Sequence, residues 1–271
     1  MKHGICAAAV LLLLGQAAAA QPKASRIMSL KVCTDELLLD LVPPARIASV
    51  TFMAQEPASL RHWPQGARAR VNYGSAEEIL STQPDLILTD PFMAPGMRQL
   101  LAKTGARIVE VPPAENFDQI RAVTRMVAKE VGEEARGEAL IAQMDADLAA
   151  VAARRPARPV RVAQWGNGGY VPGAGGLFGA MLTAAGAVSI EKGAMGFYDV
   201  ETLIAAQPDL LVYGDTYRGM SLRSQQDNHP ALVKRYAGRR ISYASLYGCG
   251  VPRTARITRQ LQADMLKAVK P

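Results

Sequence analysis

Short segments rich in β-branched and aliphatic residues alternate with segments of helical periodicity along most of this chain. The first strand is predicted over residues 26–32, and an apolar helix at 37–41 follows, with Thr34 or Asp35 in position to cap it. Strands that alternate with helices indicate parallel sheets with helices on their faces. Further strands are predicted at residues 46–50, 86–89, 107–111, 160–165, 210–213 and 240–243, and further helices at 97–104, 177–185, 230–236 and 254–269.

The alternation is interrupted between residues 116 and 154, where no strand is indicated. A helix is predicted over residues 117–130, and a second helix over residues 133–154 extends about 33 Å at 1.5 Å per residue. Two prolines, Pro156 and Pro159, end this helix, and the strand–helix alternation then resumes. The pattern therefore predicts an N-terminal lobe at residues 21–132, a linking helix at 133–155 and a C-terminal lobe at 156–271.

A thirteen-residue phrase that occurs twice supports two lobes of one design. It runs from Glu77 to Thr89 and again, 124 residues later, from Glu201 to Tyr213, with matching Glu, Gln, Pro, Asp and Leu positions. Ser75 and Glu78 have the spacing of a capping box, and the Gln-Pro-Asp segment predicts a turn into a buried strand. The offset is too long for a solenoid repeat, so we expect two lobes with a cleft between them.

The first twenty residues have the features of a secretory signal peptide. Lys2 precedes an unbroken apolar run at residues 7–14, and residues 18–20 supply a cleavage site before Gln21. The run is shorter than the roughly 20 residues of a membrane-spanning helix. No lipid-attachment sequence surrounds Cys6. We therefore expect a soluble, exported protein.

Charge and cysteine content narrow the class of partner. The formal net charge is +7, and the arginines are scattered rather than gathered on a basic helix with aromatic residues. This distribution argues against nucleic acid and suits a small anionic ligand. Two cysteines follow the signal peptide, Cys33 and Cys249. An exported protein can join them by a disulfide, while two separate buried thiols or ligation of a soft metal ion are open alternatives.

Sequence signatures of catalysis and of cofactor binding are absent. The glycine-rich segment at residues 173–179 lacks the spacing of a dinucleotide-binding loop, and no Walker A sequence is present. Only His62 and His229 follow the signal peptide, outside any H-E-x-x-H motif, which argues against direct capture of zinc or manganese. No cofactor is expected. An exported α/β hydrolase, with a triad assembled from distant residues, is the alternative from another class.

Aromatic residues concentrate at predicted strand ends and in loops. In parallel sheets, ligands bind beyond the carboxyl ends of the strands. Aromatic faces with a few polar groups suit a sizeable, partly apolar ligand, and packing in the core or within a loop is the alternative for any one of them. The aromatic residues concerned are Trp63, Tyr73, Phe92, Trp165, Tyr170, Phe197, Tyr198, Tyr217 and Tyr247.

The order of these segments resembles the periplasmic substrate-binding proteins of ABC importers for iron-siderophores, heme and vitamin B12. The resemblance covers residues 26–269 and is carried by T-D-E-L-L after the first strand, the twice-occurring E-x-x-I-L-x-x-Q-P-D-L-I-L phrase and Pro252-Arg253 before the last helix. It implies two similar α/β lobes with central, mainly parallel sheets joined by one long α-helix. It further implies a monomer in the periplasm that encloses its ligand between the lobes and catalyses no reaction.

The resemblance also implies roles for individual residues. In this family, one surface glutamate on each lobe docks onto arginines of the membrane permease, and Glu77 and Glu201 match those positions. A first-turn glutamate also stabilises a helix by itself, so capping and docking are compatible. The residues that match cleft loops are Lys31, Thr34, Asp35, Tyr73, Gly74, Asp90, Phe92, Trp165, Tyr170, Tyr198, Tyr217, Arg218, Tyr247 and Arg253.

The expected function is therefore transport by binding. The protein is expected to capture an iron-siderophore and deliver it to an inner-membrane ABC permease with its ATPase, with vitamin B12 and heme as the alternative ligands. The iron or cobalt would enter as part of the ligand, because the chain lacks the histidines of the metal-binding branch of the family.

Overall fold

The computed structural model of the protein describes residues 23–165, 168–214, 226–243 and 248–269. The predicted signal peptide and the predicted cleft residues Tyr217, Arg218 and Tyr247 lie outside these ranges. The described chain forms parallel sheets flanked by helices, which confirms the predicted α/β class.

The N-terminal part of the chain forms a five-stranded, all-parallel sheet. Its strands are β1 (Ile27–Ser29), β2 (Ile47–Thr51), β3 (Val71–Asn72), β4 (Leu86–Thr89) and β5 (Arg107–Glu110). They lie in the order β3-β2-β1-β4-β5. The accompanying helices are α1 (Val32–Leu41), α2 (Pro57–His62), α3 (Ala76–Thr82), α4 (Pro95–Ala102) and α5 (Phe117–Val131).

The long helix α6 (Glu134–Ala152) follows, and the remaining chain repeats the plan. Strands β6 (Val160–Gln164), β8 (Ala187–Ser189), β10 (Leu210–Gly214) and β11 (Arg240–Tyr243) form a parallel sheet in the order β8-β6-β10-β11. Strands β7 (Tyr170–Pro172) and β9 (Met195–Phe197) form a separate antiparallel ribbon that was not predicted. The helices here are α7 (Gly176–Ala185), α8 (Val200–Ala206), α9 (Pro230–Arg235) and α10 (Thr254–Ala268).

The two sheets share one strand order, since β2-β1-β4-β5 corresponds to β8-β6-β10-β11. Successive residues in a strand face opposite sides of a sheet. Accordingly Ile27 and Met28 belong to different hydrophobic clusters, as do Leu211 and Val212. Helices therefore cover both faces of each sheet, which explains the continuous apolar strands in the sequence. The expected pair of similar α/β lobes is confirmed, while the division at residues 132 and 155 stays a prediction.

The first helix begins earlier than predicted. β1 ends at Ser29 and α1 begins at Val32, so Thr34 and Asp35 lie inside the helix and do not cap it. The Thr34 hydroxyl instead donates to the Lys31 carbonyl at 2.8 Å. The Asp35 carboxylate is buried against β2, where it accepts hydrogen bonds from Thr51. A tertiary partner for Asp35 thus replaces the local capping role that its position suggested.

The twice-occurring phrase forms the same helix–turn–strand connector in both lobes. Helices α3 and α8 each end at a glutamine in the left-handed region, with φ of 47° at Gln83 and 49° at Gln207. An arginine from the neighbouring strand caps each helix end, because the guanidinium of Arg26 donates to the Gln83 carbonyl and that of Arg161 to the Gln207 carbonyl. These two arginines extend the repeat beyond the phrase found in the sequence.

The aspartate of each copy closes the connector from the other side. The Asp85 carboxylate accepts the backbone N–H of Arg26 at 3.0 Å, and the Asp209 carboxylate accepts that of Arg161 at 2.9 Å. Partial burial acts to raise the pKa of Asp85, but hydrogen bonds from Ser25 and Arg26 outweigh it and hold that pKa below its ordinary value. The Gln-Pro-Asp-Leu part of the repeat is therefore structural.

A disulfide joins the beginning of α1 to the segment before α10. The Sγ atoms of Cys33 and Cys249 lie 2.02 Å apart, and the two residues are separated by 216 positions in the sequence. The bond links the N-terminal lobe to the chain that enters the last helix, and Cys249 and Val251 accordingly pack in the hydrophobic cluster of the first sheet.

Removal of this bond is expected to destabilise the protein. For a loop of this length, the loss of cross-link entropy from the unfolded chain corresponds to at most about 5 kcal/mol in the free energy of unfolding. Cys33→Ser with Cys249→Ser should therefore lower the urea midpoint, and dithiothreitol should lower that of the wild type but not that of the variant. Thiol titration of unfolded, unreduced protein lacking residues 1–20 should find no free thiol; two per chain would contradict the bridge.

Candidate functional site

A cavity of about 530 Å³ lies at the carboxyl ends of all five strands of the first sheet. Each strand end supplies part of its lining, because parallel strands bring these ends to one edge of the sheet. The C-terminal half of the chain contributes Leu177 and residues 248–250. The lining residues grouped by strand are 30–34 after β1, 51–53 at the end of β2, 72–74 at β3, Asp90 and Phe92 after β4, and 111–115 after β5.

The lining is mainly apolar and aromatic, with few polar groups. The rings of Phe52 and Tyr73 stack with centroids 5.2 Å apart, and Phe92 is also exposed at the cavity. The ammonium of Lys31 pairs with the Asp90 carboxylate at 3.2 Å, across the ends of β1 and β4. This combination of flat aromatic surface and a few polar groups is typical of small-molecule sites.

A buried asparagine fixes the loop that carries Tyr73. The Asn72 amide nitrogen lies within 3.0 Å of the Ser29 carbonyl, the Ser49 hydroxyl and the Val50 carbonyl, so its two N–H groups are shared among three acceptors. Its oxygen accepts the N–H of Gly74, which has a φ of +73° that a side chain would disfavour. Three strands thus share one amide, and the turn that presents Tyr73 is held by it.

Asp35 supports the cavity from beneath its lining. Its carboxylate accepts the backbone N–H of Thr51 at 3.0 Å and the Thr51 hydroxyl at 2.5 Å. Burial raises the pKa of Asp35 to about 6, although hydrogen bonds from Ser29 and Thr51 oppose the rise. Asp35 therefore positions the end of β2 and does not line the cavity.

Helix α1 carries acidic side chains behind the cavity, and one of them pairs with an arginine. The Arg253 guanidinium donates to both oxygens of Asp40, at 2.6 and 3.2 Å, and lies over the ring of Trp63. One turn earlier, Glu36 Oε1 is buried without a hydrogen-bond partner among the residues described. Burial raises the pKa of Glu36 well above its ordinary value; Asp40 and Asp35 raise it further, and Arg253 opposes them.

The structure brings six of the predicted cleft residues together. Lys31, Thr34, Tyr73, Gly74, Asp90 and Phe92 all line the cavity, and so do the two bonded cysteines. Asp35 and Arg253 lie outside this lining, because the carboxylate holds Thr51 and the guanidinium holds Asp40. Their contact with a ligand stays a prediction.

Trp165 also lies outside the lining, because its ring is buried in the core of the second sheet among Val171, Leu203 and Leu211. The backbone N–H of Trp165 donates to the Val212 carbonyl, so strand pairing continues past β6 and directs the ring into the core. Tyr170 and Tyr198 belong to the β7–β9 ribbon or follow it directly, outside the lining of this cavity.

Sequence reasoning missed Phe52, Met53, Leu177 and residues 111–115 of the lining. Phe52 and Met53 follow β2 as Lys31 follows β1, so the carboxyl-end rule applied to every predicted strand would have found them. Leu177 stands in the first turn of α7 and has no comparable signal, because its approach to the cavity depends on how the lobes pack.

Glu77 and Glu201 lie away from the cavity lining, in the first turns of α3 and α8. Both side chains are exposed, and neither forms a hydrogen bond or ion pair with another described residue. The caps of the two helices are Ser75 and Asp199, so the glutamates themselves are left available to solvent.

Within the described ranges, no three His, Cys, Asp or Glu side chains are grouped to hold a metal ion. None of the helices there combines the length and apolar character needed to cross a membrane.

The fold and the cavity agree with a match to a known family. The model of the periplasmic binding protein family matches residues 27–198, which is more than half of the chain. The chain belongs to the periplasmic binding protein family and is accordingly a binding protein rather than an enzyme. A comparison with curated protein sequences gives no match.

Solved structures of similar fold include three that span nearly the whole chain. The periplasmic heme-binding protein RhuT from Roseiflexus sp. RS-1, in apo form, has a TM-score of 0.73 and 25% identity, covering 91% of this chain and 100% of RhuT. The periplasmic heme-binding protein HutB of Vibrio cholerae has a TM-score of 0.71 and 19% identity, covering 88% of this chain and 97% of HutB. The periplasmic vitamin B12-binding protein BtuF of Vibrio cholerae has a TM-score of 0.64 and 20% identity, covering 92% of this chain and 99% of BtuF.

Replacement of Glu36 is expected to change the pH dependence of stability. With its folded pKa raised, Glu36 retains a proton in the native state after the unfolded chain has lost it, so its contribution lowers stability as the pH rises above 4.5. Glu36→Gln should therefore raise the unfolding temperature relative to wild type, and by more at pH 8 than at pH 5.

Glu134→Gln, at an exposed first-turn position of α6, is the control, and its unfolding temperature should differ from that of wild type by the same small amount at both pH values. An unfolding-temperature difference between Glu36→Gln and wild type that is equal at pH 5 and pH 8 would contradict the assignment.

Proposed function

We propose that this protein is the periplasmic solute-binding component of an ABC importer and that it captures an iron chelate at the cavity described above. The observation that carries the proposal is the convergence of all five strand ends of one lobe on a single aromatic cavity, in a chain of the periplasmic binding protein family. No bond is made or broken in this function; the ligand is enclosed, carried and released.

The character of the lining favours a chelate with a large apolar face. Phe52, Tyr73 and Phe92 offer flat aromatic surface, while the Lys31–Asp90 pair supplies the nearby charge. A planar metal complex such as heme matches this surface better than a hydrophilic siderophore, because aromatic faces gain little from strongly hydrated groups. The volume of about 530 Å³ lies within the 300–1,000 Å³ typical of ligand pockets.

The comparisons support the same class of ligand. RhuT and HutB are described as heme-binding and BtuF as vitamin B12-binding, and all three resemble this chain along nearly their full length. Heme is therefore the first ligand to test. Iron-siderophores, which the sequence favoured, and vitamin B12 complete the set.

Delivery to the importer is assigned to the exposed glutamates. Glu77 and Glu201 occupy matching positions in two copies of one connector, so the lobes present the same acidic group twice. Neither carboxylate is paired within the part of the chain described, and each is free to pair with a cation of a partner. A membrane permease with two equivalent arginine sites fits this arrangement.

Ligand binding can be tested by thermal shift against hemin, ferric hydroxamate and catecholate siderophores and cyanocobalamin. A ligand present at 100 times its Kd is expected to stabilise the fold by about 2.7 kcal/mol. Phe52→Ala with Phe92→Ala should diminish the shift because both rings line the cavity, whereas Val188→Ala, exposed on β8, should preserve it. Failure of every compound to shift the wild type would refute the ligand class, and turnover of a chromogenic ester would favour the hydrolase alternative.

Docking can be tested by charge reversal at the two glutamates. Glu77→Arg with Glu201→Arg is expected to abolish uptake of the identified ligand by whole cells, because like charges then meet at both sites. The affinity for that ligand in solution should be unchanged, since neither residue lines the cavity. Glu134→Arg is the matched control, as Glu134 is also an exposed first-turn glutamate. Weaker ligand affinity in the double variant would instead place the glutamates in the binding site.

A further inference from the structure

An exposed aromatic residue precedes each of the two glutamates by four positions. Tyr73 precedes Glu77 and Phe197 precedes Glu201, so the aromatic residues are also 124 positions apart. Their exposed fractions are nearly equal, at 72% and 73%. The helix caps between them, Ser75 and Asp199, keep the same offset. The repeat therefore includes an aromatic residue, a cap and an acid in each lobe.

In the N-terminal lobe, the tyrosine is held by its backbone and by a second ring. The N–H of Tyr73 donates to Glu78 Oε2 at 3.0 Å, and the same oxygen accepts the N–H and hydroxyl of Ser75. The ring stacks on Phe52 at 5.2 Å. The backbone at Tyr73 is thus fixed relative to the first turn of α3, which carries Glu77.

In the C-terminal lobe, a different local structure produces the same presentation. Phe197 ends β9 and its ring meets Tyr170 of β7 edge to face, with centroids 5.9 Å apart. The next residue, Tyr198, donates its N–H to the Gly169 carbonyl at 2.8 Å and its hydroxyl to Glu191 at 3.1 Å. A side chain at Gly169 would meet the Tyr198 carbonyl at 2.1 Å, so this close contact requires glycine.

Packing within the protein does not account for the exposure of these rings. Burial of an aromatic side chain stabilises a fold by about 1.5–3 kcal/mol. Tyr73 and Phe197, which are mostly exposed, gain little of this stabilisation. Tyrosine and other large aromatic residues are enriched among the residues that carry binding energy at protein interfaces. Tyr73 also lines the cavity and Phe197 does not, so the exposed ring of Phe197, four positions before an exposed glutamate, carries the argument for a surface that a partner covers.

We propose that Tyr73 and Phe197 are paired docking anchors that act with Glu77 and Glu201 on a membrane permease built from two equivalent subunits. The proposal rests on the proposed function. A partner with two copies of one site fits a surface that repeats itself, and arginine serves both elements, since a guanidinium pairs with the carboxylate and stacks over the ring. The aromatic contact supplies apolar area that the acidic pair alone lacks.

Phe197 gives the cleaner test, because Tyr73 also lines the cavity whereas Phe197 does not. The measurement is the Kd of the ligand-free protein for the ABC permease of its importer, purified in nanodiscs. Phe197→Ala and Tyr73→Ala are each expected to weaken this binding at least tenfold. Phe197→Tyr should bind the permease as the wild type does, because tyrosine keeps the aromatic ring. Val233→Ala, which truncates an exposed apolar residue of α9, should bind as the wild type does.

The charge-reversed variant, Glu77→Arg with Glu201→Arg, separates failure of the inference from failure of the proposed function. If the wild type does not bind the permease, both are overturned. If the wild type binds and Glu77→Arg with Glu201→Arg does not, equal binding by wild type and Phe197→Ala overturns the aromatic anchors alone. Unchanged permease binding with weaker hemin binding by Phe197→Ala would assign Phe197 to the ligand site and also overturn the inference. Unfolding temperatures of all variants near that of wild type ensure that the folded protein is compared.

Discussion

The parallel direction of every strand in the two larger sheets is the constraint on which the binding site depends. Parallel neighbours need a crossover, and the crossover helices return each strand to the same starting edge. All carboxyl ends then lie at the opposite edge, where five loops of the first sheet converge on one cavity. The loops differ in sequence and share only this placement. Their side chains can therefore change to suit a ligand without disturbing the strand pairing beneath them.

The sequence predicted the features that depend on local pattern. The strand–helix alternation, the long helix α6 and the connector at Gln83 follow from periodicity and turn chemistry. Lys31 was assigned to a cleft loop by the family resemblance, since the predicted first strand at residues 26–32 included it. The positions of residues that depend on a distant partner could not be derived from local pattern. Trp165 turns inward because its N–H pairs with Val212 of β10, and Arg253 meets Asp40 from 213 positions away. No window of sequence contains both members of such a pair.

The two lobes share a plan but differ in its execution. The first sheet carries an additional edge strand, β3, whereas the second lobe has the separate β7–β9 ribbon. In spite of this difference, the backbone before each helix of the repeat fixes an aromatic residue at nearly the same exposure. Unlike local structures thus leave an aromatic residue exposed at the same position of the repeat in each lobe. The cavity is not shared equally in this way, because its described lining comes mainly from one lobe.

The bond between Cys33 and Cys249 also orders events during biosynthesis. Because its two sulfurs belong to residues 216 positions apart, the bond cannot close until nearly all of the chain has been synthesised and has reached an oxidising environment. Residues 248–250, which complete the wall of the cavity, are covalently secured only afterwards. An unfinished chain therefore lacks the covalent closure of this wall.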